Sequence, residues 1–300
     1  MEKLKSKFIG SLVGLALGDF LGAGGRRYTD DTAMMIGVAE SLIESKGFNG
    51  ENMAHIFVKN YENEPFRGYG PGPPRIFRMI KFGRKWNESL DKEFYPPDGS
   101  FGNGAAMRIA PVGLLYYDDL VKLREVAHRS SRITHSHPLG IEGAALEAYA
   151  VALAVKNEPK ELDRYEFLKK LGDFVEVDLY REKLEVMKKL LKEGAGKAKV
   201  VRELGNGVEA FNSVPIAIYS FLANSSFETT LDYALNVSYG GDRDTISAMT
   251  SAIAGACYGI EDIPREWSDK LENKDYIVVL AEKLWETYLE VGSCHGGKAK

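Results

Sequence analysis

Gly240-Gly241-Asp242-Arg243-Asp244-Thr245-Ile246-Ser247-Ala248-Met249-Thr250-Ser251-Ala252-Ile253-Ala254-Gly255-Ala256 decides how this chain is read. From Thr245 onward it is a helical stretch almost free of large side chains. Such a helix lets a second helix backbone come close, because the interaxial distance is set by the side chains at the contact. A matching partner stands at the other end of the sequence, where Gly10, Gly14, Ala16, Gly18, Gly22 and Ala23 do the same for the first helical segment. Packing the two together brings Asp242 and Asp244 toward the segment just beyond the first helix. That segment leads into Tyr28-Thr29-Asp30-Asp31-Thr32, a second acidic cluster.

The rest of the chain agrees with a helical core. Apolar residues recur with helical spacing over 6–22, 31–45, 51–63, 74–83, 104–116, 119–130, 138–156, 163–172, 180–192, 207–223, 227–237, 244–258 and 275–290. Period-2 strand patterns are scarce. The expected fold is an all-α orthogonal bundle, one domain over 1–300. The Lys/Glu-rich stretch 159–206 reads as solvated helices at the rim. Gly68-Tyr69-Gly70-Pro71-Gly72-Pro73-Pro74 and Asp98-Gly99-Ser100-Phe101-Gly102-Asn103-Gly104 read as loops that precede helices.

Composition narrows the function. The 300 residues are 44% hydrophobic and 27% charged, as expected of a globular protein with a sizeable core. A net charge of −4 argues against a general nucleic-acid binder. The opening segment is basic and then apolar, like a leader, but glycines and Asp19 interrupt it, so no signal peptide is expected. No purely apolar run is long enough to predict a membrane span. Cys257 lies among small apolar residues and Cys294 in a polar tail, so a disulfide is not expected and a reducing, cytoplasmic setting is.

Each acidic cluster opens a helix, and helix capping accounts for one acid in each. Adjacent carboxylates go beyond capping. They repel and raise one another's pKa, whereas a bound cation removes the conflict. Hard oxygen ligands suit Mg²⁺, Mn²⁺ or Ca²⁺. Four carboxylates from two helix starts can bridge two cations about 3.5–4 Å apart, a spacing used to activate water. The Ser100–Arg108 segment offers backbone N–H groups at a glycine-rich helix start, a ready phosphate site, with Phe101 placed to stack on a base or ribose. Arg132-Ile133-Thr134-His135-Ser136-His137 lacks the further ligands of a zinc site, so its histidines read as ligand contacts or caps.

With these segments together the chain resembles the ADP-ribosylglycohydrolase family, whose founding member reverses ADP-ribosylation of dinitrogenase reductase. The likeness rests on Gly10–Asp19, Tyr28–Thr32, Gly68-Tyr69-Gly70, Gly102–Arg108, Thr134-His135-Ser136-His137, Gly240–Thr245 and Ile263-Pro264-Arg265-Glu266-Trp267, in family order. It implies an all-α fold around two divalent cations, Mg²⁺ or Mn²⁺, held by Thr29, Asp30, Asp31, Asp242, Asp244 and Thr245. It implies that Ser100, Phe101, Gly102, Asn103, Gly104 and Ala105 bind the diphosphate and adenosine side of ADP-ribose. Gly68, Tyr69 and Gly70 would border the ribose, and His135 would contact the ligand. The wording is closest to the branch acting on serine-linked and polymeric ADP-ribose.

Two departures stand out. Many members carry a Glu in the loop after the first helix, and Leu21–Arg27 has no acid. Position 243 is Arg, expected to pair with a phosphate or with its flanking aspartates. The expected reaction is hydrolysis at ribose C1″, releasing ADP-ribose from a protein or small molecule, with Asp30 or Asp31 as base and an oxocarbenium-like transition state. The alternatives are an ADP-ribose-binding protein that has lost turnover, and a hydrolase of another nucleotide-like N-glycoside.

Overall fold

A computed structural model describes residues 1–295, with side chains through Val291. In chain order the α-helices are α1 (Glu2–Gly22), α2 (Asp30–Glu44), α3 (Gly50–Asn63), α4 (Gly72–Lys81), α5 (Ala110–Leu115), α6 (Leu120–Ser131), α7 (Pro138–Lys156), α8 (Arg164–Phe174), α9 (Asp178–Glu193), α10 (Lys197–Leu204), α11 (Ala210–Leu222), α12 (Phe227–Val237), α13 (Arg243–Tyr258), α14 (Arg265–Ser268) and α15 (Lys274–His295). The described residues hold no strand, only an isolated antiparallel bridge between Gly102 and Glu209. The all-α bundle expected from periodicity is the fold observed. Cys257 is a buried free thiol; Cys294 lies outside the residues whose side chains are described.

The α1–α13 pair is the axis of the bundle. A Cβ added to Gly14 would stand 2.5 Å from the Ser251 carbonyl oxygen, one on Gly18 2.2 Å from that of Ser247, and one on Gly255 1.9 Å from that of Gly10. The two backbones therefore touch, which only glycine permits at these points. The pairings step forward along α1 as they step backward along α13, so the helices are antiparallel. The register ends with Gly22 against the backbone of Asp244. The end of α1, the start of α13 and, after a short loop, the start of α2 thus meet at one end of the core. Because α13, α15 and α2 surround it, α1 is buried from Ser6 to Phe20. The leader-like segment is a central core helix.

Local sequence explains where helices differ from their expected spans. The span 104–116 is not one helix. Asn103–Ala105 forms a 3-10 turn, and α5 starts only at Ala110, with Pro111 in its first turn; proline suits that position, whereas in a helix interior it removes a backbone hydrogen bond. Residues 207–208 form a bend, Glu209 pairs with Gly102, and α11 starts at Ala210. The 159–206 stretch forms α8, α9 and α10, which bury Phe167, Leu171, Tyr180 and Met187 and turn their Lys and Glu outward. Helix α7 is long and apolar enough to cross a bilayer, which the sequence reading did not anticipate. Within the protein 89% of its most apolar window is buried, packed by α5, α6, α11 and α13.

Candidate metal centre and ligand cleft

The first acidic cluster caps α2. Thr29 is extended, and its Oγ1 accepts the Asp31 N–H at 3.4 Å. Its hydroxyl also lies 2.8 Å from Asp19 Oδ1 and 2.9 Å from Asp31 Oδ2. Asp19, wholly buried in the last turns of α1, accepts the Thr29 N–H at 2.9 Å, the Thr32 N–H at 3.1 Å and the Thr32 hydroxyl at 2.5 Å. It is the principal site residue missed as functional by sequence reasoning. An acid inside an otherwise apolar helix is the available signal; in the sequence it argues against a leader and closes the Gly10–Asp19 motif, without being given a site role.

One carboxylate oxygen each of Asp19, Asp31 and Asp244 lie within 4.8 Å of one another. That spacing alone would make Asp19 a ligand. Both of its oxygens are already filled by Thr29 and Thr32, so its geometry fits an orienting role better. Burial raises the proton affinity of Asp19, Asp30, Asp31 and Asp242, and neighbouring carboxylates raise that of Asp30, Asp31 and Asp242 further. Asp30 is pushed up to about 7 by burial and then by the charge of Asp19, and Asp31 well above the usual carboxyl range by the same two causes. Burial lifts Asp19 to about 6, against the hydrogen bonds from Thr29 and Thr32, and Asp242 to about 6, against that from Asn103. Asp31 Oδ1 is buried with no hydrogen-bond partner. An orphaned oxygen among crowded carboxylates is a poor apo arrangement and a good one for a divalent cation.

The second cluster starts α13. The Asp242 N–H donates to the Asn206 carbonyl oxygen at 2.8 Å. A Cβ on Gly241 would stand 2.1 Å from that same oxygen, so this approach requires glycine. Asn103 Nδ2 donates to Asp242 Oδ2 at 2.5 Å and so ties the glycine-rich loop to the acidic cluster. Thr245 is buried beside them. The Arg243 Nε donates to the Leu235 carbonyl oxygen on α12 at 3.0 Å, a backbone contact where a flanking aspartate is one of the expected partners. The loop after α1 is exposed from Ala23 to Arg27. The acid that α1 does bring comes from inside the helix, at Asp19.

A cavity of about 680 Å³ runs from these clusters to the protein surface. Of the residues singled out from sequence, Asp30, Asp31, Asp242, Asp244, Thr245, Gly68, Gly70, Ser100, Phe101, Gly102, Asn103, Gly104 and His135 line it. Thr29, Tyr69 and Ala105 are not among its lining residues. Thr29 acts from behind through its hydroxyl. The Tyr69 ring is turned into an aromatic cluster, 5.0 Å from Tyr61 and 6.2 Å from Phe77. Ala105 is fully buried beneath the loop.

Phe101 stays 45% exposed at the rim, 5.5 Å from His137 and 5.9 Å from Phe211. His135 lies under the loop: a Cβ on Gly104 would stand 2.7 Å from its Cε1. Burial, with the nearby Arg108 charge, lowers its pKa to about 3, so the ring is neutral. Its Nδ1 pairs with the Thr134 hydroxyl at 2.8 Å. Arg108, also lining the cavity, is buried over the Phe57 ring and donates to the Ser130 carbonyl oxygen. It stands within the glycine-loop motif, and the sequence gives it no role of its own.

Two oxygen-rich helix starts face one cleft, beside a glycine-rich loop and a rim aromatic. A family model described as ADP-ribosylglycohydrolase matches residues 1–293, and the chain belongs to that family. It is 35% identical to human ADP-ribosylhydrolase ARH3 over 293 aligned residues, covering 87% of this chain and 79% of the human protein. It is 32% identical to an uncharacterised protein of Archaeoglobus fulgidus, covering 88% of this chain and 82% of that one. It is 24% identical to ADP-ribosylarginine hydrolase Tri1 of Serratia proteamaculans, covering 95% of this chain and 79% of that protein. Among solved structures, an ADP-ribosylglycohydrolase-related protein complex superposes with a TM-score of 0.75 at 23% identity, covering 96% of this chain and all of the other, a likeness of fold.

Proposed function

We propose that this chain, acting as one unit over 1–300, is a metal-dependent hydrolase that cleaves the glycosidic bond at ribose C1″ of ADP-ribosylated proteins or small ADP-ribose conjugates. The hydrolase class follows from the family and from the relatives named ADP-ribosylhydrolase. The observation that carries the metal reading is the buried, partnerless Asp31 Oδ1 among carboxylates of raised proton affinity. Thr29, Asp30, Asp31, Asp242, Asp244 and Thr245 would hold two divalent cations, Mg²⁺ or Mn²⁺. When bound, such ions supply Lewis-acid polarisation of the ribose hydroxyls and of an attacking water.

The chain's own residues have separate tasks. Asp30 is more accessible than Asp31 and lines the cavity. It would take the proton of the attacking water, while Asp31 stays a ligand. The remaining carboxylates stabilise positive charge that develops on the ribose. Gly68 at φ 87°, a conformation that favours glycine, passes Asp30 Oδ1 without a side chain in the way and leaves room for the ribose. Gly104 would offer its N–H to the diphosphate, the Ser100 and Gly102 N–H groups being held by Asp91 Oδ2 and the Ser100 hydroxyl, and Phe101 offers a face to the adenine. Serine-linked or polymeric ADP-ribose is the proposed natural substrate. The proposed setting is cytoplasmic, in keeping with the free Cys257 thiol.

A second reading has its own observation. The exposed Ala23–Arg27 loop brings no carboxylate to the centre, as an ADP-ribose-binding protein without turnover would allow. Incubating the protein with ADP-ribosylated serine and arginine peptides and with O-acetyl-ADP-ribose, with Mg²⁺ or Mn²⁺, separates the two. The hydrolase reading expects ADP-ribose release that stops with chelator and returns with Mn²⁺. No release from any of these substrates while metal is demonstrably bound would remove the ADP-ribosylhydrolase reading.

A further inference from the structure

Outside the metal centre, one buried acid connects both loops of the ligand cleft. Asp91 is wholly buried in the 3-10 turn Leu90–Glu93. Its Oδ2 accepts the Ser100 N–H at 2.8 Å and the Ser136 N–H at 2.8 Å. Its own carbonyl oxygen accepts the Phe94 and Tyr95 N–H groups at 3.0 and 2.9 Å. The Ser136 hydroxyl adds a bond to the Asp98 carbonyl oxygen at 3.3 Å. Gly99, at φ 95°, closes the junction: a Cβ there would stand 2.2 Å from Ser136 Oγ and 2.4 Å from Asp91 Oδ2. One carboxylate oxygen thus holds the first residue of the glycine-rich loop and the residue after His135 at a fixed separation. Asp91 itself is not among the residues lining the cavity.

We infer that Asp91 is a positioning residue that sets the ligand-binding half of the site. Its two bonds fix the loop carrying Ser100 to Asn103 against the loop carrying His135. The metal-side residues stand on α1, α2 and α13 and are not hydrogen-bond partners of the Asp91 carboxylate, which holds Ser100 and Ser136; they meet the loop through Asn103, which donates to Asp242. Losing the carboxylate therefore loosens nucleotide recognition far more than it disturbs the cation centre. The inference rests on the reading that ADP-ribose occupies this cleft.

The test compares Asp91→Ala and Asp91→Asn. Asp91→Ala orphans two buried N–H groups and is expected to weaken ADP-ribose binding roughly 10- to 100-fold by calorimetry in Mn²⁺. Mn²⁺ affinity measured without ADP-ribose should stay within about twofold, and turnover at saturating substrate within about threefold while KM rises. Asp91→Asn keeps an acceptor oxygen for both donors and should restore most of the loss. Amide hydrogen exchange gives a readout that needs no ligand: Ser100 and Ser136 should exchange faster together in Asp91→Ala, while the α2 and α13 starts keep wild-type rates. If Asp91→Ala does not fold, Gly99→Ala, which wedges the same junction, should show the same split. Unchanged ADP-ribose affinity, a parallel fall in Mn²⁺ affinity, or slow exchange at both serines would overturn the inference. Failure of the wild-type protein to bind ADP-ribose would instead remove the functional reading, and the exchange result would still judge Asp91.

Discussion

Replacing Asp19 with Asn tests how the metal side is organised. The Asp19 carboxylate receives the Thr29 N–H, the Thr29 hydroxyl, the Thr32 N–H and the Thr32 hydroxyl, at 2.5 to 3.1 Å. Drawing the Thr29 hydroxyl proton toward Asp19 Oδ1 turns the Thr29 lone pairs toward the cleft, where a cation ligand needs them. An Asn side chain keeps one acceptor oxygen, and the fixed Thr32 N–H claims it. Its NH₂ then faces Thr29 Oγ1 and forces that hydroxyl to accept, so its proton goes to Asp31 Oδ2. The loss of one charge-assisted bond is expected to cost about 1.5–3 kcal/mol of stability. The reversed Thr29 hydroxyl should lower Mn²⁺ affinity about 10- to 100-fold, the usual size of effect for a residue that orients a ligand. Calorimetric Mn²⁺ titration with thermal unfolding measures both. An Asp19→Asn protein that binds Mn²⁺ like the wild type would refute this reasoning, however far its Tm falls.

Other outcomes rest on the same geometry. Asp30, Asp19 and Asp242 have folded pKa values of about 7, 6 and 6, above the ordinary 3.8. The folded protein holds protons that the unfolded chain gives up, so this stability is full below about pH 4 and is lost as pH rises through about 6–7. Chelated protein should show Tm falling between about pH 5 and 8, and saturating Mn²⁺ should reverse the trend; a rising Tm in chelator would count against it. Gly22→Ala places a Cβ 2.5 Å from the Asp244 Cα, an overpacking expected to cost about 1–3 kcal/mol. It should lower Mn²⁺ affinity as well, whereas Gly70→Ala, with nothing within 4 Å, should leave both unchanged. Phe101→Ala should weaken ADP-ribose binding by about 1–3 kcal/mol, roughly 5- to 150-fold, if the rim ring stacks on adenine; equal affinity by calorimetry would remove that role.

Much of this site was legible because its chemistry is written as local excess. Asp30-Asp31 and Asp242–Asp244 carry more charge than capping needs, and the glycines of α1 and the small residues of α13 announce the contact that joins them. What stayed hidden depends on direction rather than composition. Asp19 looks like an interruption until the register of α1 against α13 places it under Thr29. Tyr69 belongs to a cleft-lining segment, yet its ring packs on Tyr61 and Phe77. Arg243 stands between two aspartates in sequence and bonds the Leu235 carbonyl oxygen in space. The apolar periodicity of 104–116 hid a 3-10 turn and a proline-started helix, since a buried loop with small residues carries the same pattern. Asp91 gave no signal at all, because its partners are backbone N–H groups distant in sequence.

The central claim is that the starts of α2 and α13 together hold divalent cations. Anomalous diffraction at the manganese edge, from crystals grown with Mn²⁺, locates such ions without assuming any activity. The expected result is two peaks between the two helix starts, within ligand distance of Thr29, Asp30, Asp31, Asp242, Asp244 and Thr245. A map with no peak there, from a protein that still releases ADP-ribose in chelator, would contradict it.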